Sequence, residues 1–259
     1  MDVLLNLHLY FGIFIASLMT LLGVWLYEFL NHRFPKWIDL LQGLSAGMLL
    51  AVIFFGIIPE ATEMLDNGFA QGQILIATVS MAVGALLLPA FEKMLPVKHH
   101  HDFEDSHHHK PQGVAYIVLG AFGIHSLFEL LAILVAGSSN PILGWTLVLI
   151  IAIHNIPIGF IINTQLKAFG LLIKRVSLMV FGLIMAQCLM AVIIYAMMLP
   201  FVTPGLTGIL LGMTAGMMLY LTFDELLPQI YRDENQHTVN ACIIAGLLGM
   251  YFILAVSGH

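Results

Sequence analysis

The sequence predicts an all-α protein that crosses a membrane eight times. Three observations predict it. Of 259 residues, 60% are hydrophobic and only 9% charged, whereas soluble domains carry about 25% charged residues. The apolar stretches are long and continuous, near the roughly 20 residues a spanning helix needs. They do not alternate as the strands of a membrane β-barrel do. Finally, the nine Lys and Arg residues fall in alternate connections between these stretches.

The spans read Val3–Leu30, Leu40–Glu63, Gln71–Leu95, Val114–Val135, Ile142–Leu166, Val176–Leu199, Leu206–Tyr231 and Val239–Val256. Met1-Asp2-Val3-Leu4 lacks the basic opening of a signal peptide, so the first span is expected to be retained. Arg33 and Lys36 follow span one. Lys93, Lys98 and Lys110 surround the connection after span three. Lys167, Lys174 and Arg175 follow span five, and Arg232 follows span seven. The remaining connections have none. Under the positive-inside rule this fixes an even number of spans and places both termini outside the cell membrane.

Ala46-Gly47-Met48, Phe54 and Pro59 in span two recur as Ala215-Gly216-Met217, Phe223 and Pro228 in span seven, always 169 residues on. The loop charges make these two spans antiparallel, the pattern of an inverted-topology repeat. The expected organisation is therefore 3+2+3 within one transmembrane domain. Residues 1–95 form the first repeat, 96–113 a cytoplasmic loop, 114–166 a central helix pair and 174–259 the second repeat.

Chemistry concentrates in the central pair. His125 and Glu129 lie midway along span four. Four residues apart on a helix, their Cβ atoms are about 5–6 Å apart on one face. A carboxylate at that depth costs about 2.5–3.5 kcal/mol on insertion scales, which marks it as functional. An imidazole and a carboxylate so placed can share a cation; otherwise they form a buried pair that ties helices together. Ser126 lies beside them as a packing or supporting residue. At the same depth in span five come His154 and Asn155, and Pro157, which frees the carbonyl of Ile153. Gln187 in span six can face the same cavity.

Acids mark both ends of a cation path. Glu60 and Glu63 lie toward the outer end of span two, Asp224 and Glu225 toward the inner end of span seven. The loop His99–His109 carries six histidines in two triplets and reads as a low-affinity metal-capturing tract. The two cysteines, Cys188 and Cys242, form neither a disulfide framework nor a zinc-finger spacing. The 15 methionines are scattered as apolar filler rather than ordered as a copper path. The donor types favour Zn²⁺, Fe²⁺ or Mn²⁺. A net charge of −6 gives no support to nucleic-acid binding, and no phosphate-binding loop points to ATP.

These residues resemble the Zrt/Irt-like (ZIP) family of divalent-metal transporters. His125-Ser126-Leu127-Phe128-Glu129 is similar to its helix-four motif, with Leu130 in place of the usual Gly. Asn155-Ile156-Pro157-Ile158-Gly159 is similar to its helix-five Asn-x-Pro-Glu-Gly, and Ile57-Ile58-Pro59-Glu60-Ala61 to its helix-two ending. The resemblance implies eight helices, a 3+2+3 inverted repeat and a His-rich inner loop. It also implies import of a divalent metal, Zn²⁺ foremost, with Fe²⁺, Mn²⁺ or Cd²⁺ as alternatives. The site it implies is His125 and Glu129, completed by Asn155, His154 or water. Ile158 departs from the motif: it stands where relatives have a glutamate that bridges two ions, which leaves a single-ion site as the simplest expectation. The partners are the lipid bilayer and the metal ion; a homodimer is compatible with the sequence. Two other readings stay open, an intramembrane zinc hydrolase and a non-transporting metal sensor.

Overall fold

The structure is a computed structural model that describes residues 7–34, 38–69, 71–94, 112–139, 141–231 and 236–257. Among them are eight helices long and apolar enough to cross a membrane. They are α1 (Leu7–Arg33), α2 (Ile38–Ala51, a π-helical segment Val52–Ile57, then Ile58–Gly68), α3 (Gln73–Met94), α4 (Gln112–Ser139) and α5 (Pro141–Ala168). These are followed by α6 (Ile173–Met198), α7 (Pro204–Leu221, a π-helical segment Thr222–Leu226, then Leu227–Ile230) and α8 (Gln236–Ser257). The His-rich tract His99–His109, with Lys36, Lys98, Lys110 and Arg232, lies outside the described residues.

Helix ends overrun the apolar stretches. α2 continues to Gly68 rather than stopping near Glu63, and α4 starts at Gln112 rather than Val114. Hydropathy marks the part of a helix that lipid or core requires to be apolar. Backbone hydrogen bonding carries on for a turn into polar surroundings. Local chemistry sets several ends. Thr203 accepts a bond from the Leu206 amide at 3.2 Å, with Pro204 opening α7. Gly170, at φ +76°, makes the tight turn between α5 and α6.

α4 buries 72% of its most apolar stretch and α5 67%, whereas α3, α6 and α8 bury only 22% each. α7 buries 67% as well and α2 61%, so α2, α4, α5 and α7 together line the interior, and the exposed apolar faces of α3, α6 and α8 are left for lipid. α1 packs along α5, and α4 along α5 and α6. α2 packs along α8, and α3 along α7. α4 and the second half of α2 meet α7, joining the two groups of helices.

Helices α2 and α7 share local features. Both switch to π-helix just before a proline, Pro59 or Pro228. Gly47 of α2 lies against the Ile243 carbonyl of α8, so closely that a Cβ there would collide with it. Gly216 of α7, 169 residues on, meets the Met81 carbonyl of α3 in the same way.

The described basic residues Arg33, Lys93, Lys167, Lys174 and Arg175 sit at the C-terminal ends of α1, α3 and α5 and the N-terminal end of α6. We call this side of the bundle its basic end.

The interior is apolar in two clusters. One includes Leu130, Leu134, Ile150 and Ile151; the other, nearer the basic end, includes Phe122, Ile158, Ile161 and Ile162.

Candidate metal centre

The seam between the two apolar clusters is where ionisable groups collect. On α4, His125 and Glu129 fall between Phe122 and Leu130. On α5, His154 falls between Ile151 and Ile158. One helical turn separates His125 from Glu129, so both face the same neighbour, and that neighbour is α5.

His154 Nε2 lies 2.7 Å from Glu129 Oε1, hydrogen-bonded across the helices. His125 Nε2 lies 3.0 Å from the same oxygen, though off the direction a hydrogen bond requires. One donor atom from each of the three side chains falls within 4.8 Å of the others. All three residues have no solvent exposure. Among the described residues this is the one group of three or more His, Cys, Asp or Glu side chains arranged this way.

The internal contacts do not use up what these groups offer. Glu129 Oε2 and the Nδ1 atoms of His125 and His154 are buried with no hydrogen-bond partner. Unsatisfied polar atoms are costly in such an interior, about 1–3 kcal/mol each. A cation would relieve part of that cost. Two imidazole nitrogens and a carboxylate oxygen are the donors of a tetrahedral zinc site with one position to spare. Donors at about 2.0–2.1 Å around such an ion are about 3.3 Å apart. The observed separations from Glu129 Oε1, 2.7 and 3.0 Å, are slightly shorter than that.

The other expected residues are placed as follows. Asn155 is buried, but its amide donates to the Ala16 carbonyl of α1 at 2.9 Å; Oδ1 is left without a partner. Ser126 is buried beside His125. Gln187 is buried in α6, its Oε1 without a partner. Ile158 is 1% exposed, one turn beyond His154, and packed in the apolar cluster. Glu60 is buried well inside α2, two turns before its end, while Glu63 is exposed. Asp224 is exposed in the π segment of α7; Glu225 lies in the same segment, its side chain outside the described ones. The triad thus joins His125, Glu129 and His154 and includes none of the more distant acids.

No part for α1 is expected from the sequence. Yet Ser17 is fully buried and lies 3.6 Å from the Cys188 thiol, and α1 carbonyls accept from two asparagines of α5. A polar or small residue at every fourth position of α5, Asn155, Gly159 and Asn163, was the available signal.

Comparison with known proteins agrees with this architecture. A family model described as ZIP Zinc transporter matches residues 3–114 and 98–254. The chain is 30% identical to the zinc transporter ZupT of Chlorobium luteolum, over 91% of this chain and 92% of that one. It is 29% identical to ZupT of Chlorobium chlorochromatii, over 83% and 85% of the two chains. It is 26% identical to ZupT of Lysinibacillus sphaericus, over 97% of each. Matches that run across all eight helices leave no part of the bundle to another lineage, and the chain belongs to the ZIP zinc transporter family.

Proposed function

We propose that the chain binds one divalent transition-metal ion at mid-membrane between His125, Glu129 and His154 and carries it toward the basic, cytoplasmic end. The observation that carries this reading is the convergence of three fully buried ionisable side chains, from two adjacent helices, on one point. The cargo is zinc, with Fe²⁺, Mn²⁺ and Cd²⁺ competing for the same N,N,O donors. Transport, rather than hydrolysis, accords with the family. Apolar side chains close the centre on both sides.

That closure supports a carrier. No side chain of the triad meets solvent, so an ion enters and leaves only when helices shift. The two groups of helices, α1 with α4–α6 and α2 and α3 with α7 and α8, are the natural moving bodies. The shared π segments and glycine contacts of α2 and α7 support an inverted repeat, and the alternation of Lys and Arg along the sequence supports both termini outside. Asn155 Oδ1, Gln187 and Ser126 offer buried neutral oxygens for completing coordination or for passing the ion. Glu60 serves as an early contact, and Asp224 and Glu225 as late ones.

The test is zinc uptake by the full chain in proteoliposomes without ATP. Time-dependent accumulation that Cd²⁺ or Fe²⁺ inhibits is the expected result; accumulation no faster than in empty liposomes would overturn it. Topology is tested separately. A cysteine introduced at Ser257, in a background lacking Cys188 and Cys242, should react with an impermeant maleimide from outside intact cells. Labelling only after lysis would reverse the orientation.

A further inference from the structure

Helix α5 is apolar on nearly every side, with buried Leu, Ile and Phe around its circumference. Apolar packing alone is nearly indifferent to a turn of such a helix about its axis. Yet His154 reaches Glu129 only at one rotation. Something directional has to set it.

The contacts between α1 and α5 supply that direction. Asn155 Nδ2 donates to the Ala16 carbonyl at 2.9 Å. One turn on, a Cβ at Gly159 would collide with the Thr20 carbonyl. Another turn on, Asn163 Nδ2 donates to the Val24 carbonyl at 3.2 Å. At the next turn Lys167 Nζ donates to both carboxylate oxygens of Glu28, at 2.8 and 2.7 Å. The hydrogen-bonded rungs join residues 139 apart, and the glycine contact falls in the same register. Both helices thus advance in step by four residues, which is packing along their i±4 rows.

Glycine allows a close approach, where Gly159 meets Thr20 and Gly23. Asparagines stand one turn to either side, and the long Lys–Glu pair two turns away. Asn163 is fully buried and also lies 3.5 Å from Glu28 Oε2, which couples the third rung to the fourth. Directional bonds of this kind are how polar side chains fix helix pairs in apolar surroundings.

Resting on the metal reading above, we propose that Asn163 and the Glu28–Lys167 pair are positioning residues for the metal centre. Through α1 they set the rotation and axial register of α5, and so the direction of the His154 imidazole. His154 precedes Asn155 by one residue, about 100° around the helix. With Asn155 held on α1, His154 faces α4. Asn163 is nine residues from His154, about 13 Å along the axis, so it influences the ion only through the helix.

The experiment uses the purified full chain in detergent, with Co²⁺ alone as a spectroscopic probe and zinc affinity measured alongside. Asn163→Leu should shift the cobalt d–d bands and weaken zinc binding on the order of 10-fold, as loss of a supporting contact does at other metal sites. Glu28→Lys and Lys167→Glu should each do the same, and the double exchange should restore the original spectrum. A role in stability alone would lower the melting temperature and leave the spectrum unmoved. Folded Asn163→Leu with an unchanged spectrum and affinity overturns the proposal. If that variant does not fold, the charge-exchange series decides by the same criterion. Should the unaltered protein's cobalt spectrum fail to respond to His154→Ala, the metal reading itself falls, and this proposal with it.

Discussion

Glu129→Ala is expected to abolish zinc uptake in proteoliposomes while leaving a folded, monodisperse protein. Glu129 brings the only negative charge to the triad, and its Oε1 is the atom both imidazoles approach. Truncating one partner of a buried, hydrogen-bonded charge pair costs about 2–5 kcal/mol of binding. At 1.4 kcal/mol per factor of ten, zinc affinity should fall by roughly 1.5 to 3.5 orders of magnitude. His125→Ala and His154→Ala should each fall in the same range, since each removes one nitrogen donor. Asn155→Ala should cost less in affinity, because its amide is already engaged with Ala16. Near-normal uptake by Glu129→Ala would remove the centre from the mechanism. An Asn155 effect far exceeding that of His154 would exchange their roles.

The second large effect concerns Ile158. This side chain lies one turn from His154 on the same face of α5, buried in the cluster with Phe122 and Ile161. Ile158→Glu places an unpaired carboxylate there, at a cost of about 3–5 kcal/mol when nothing compensates it. The metal-free variant should melt well below the parent protein. Zinc should recover most of that loss, and the bound ratio should rise from one to two ions per chain. The direction follows from linkage: an ion that binds only the folded state stabilises it in proportion to its binding. A ratio that stays at one would mean that position 158 does not face the ion.

Much of this was legible in the sequence, for identifiable reasons. Eight spans could be counted because lipid imposes long apolar runs and because every Lys and Arg respects the alternation. His125 and Glu129 stood out because ionisable residues are costly in such runs. What the sequence withheld was rotation. Asn155 and His154 are neighbours in the chain and equally polar, and only the packing of α5 on α1 turns the first to Ala16 and the second to Glu129. Span ends were blurred for a related reason. Helical hydrogen bonding continues past the last apolar residue, so Glu60, expected toward the outer end of its span, is buried two turns inside α2. The part played by α1 depends on tertiary register, and no local pattern of Leu and Ile encodes that.

The central claim is that the cluster of His125, Glu129 and His154 exists to hold a metal ion in transit. Anomalous scattering at the zinc edge, from crystals of the full chain soaked in zinc, tests it most directly. A single strong peak is expected between the two imidazoles and Glu129 Oε1, with the side chains spread slightly from their present contacts. A map with no peak there, and with Glu129 still hydrogen-bonded to His154, would contradict it.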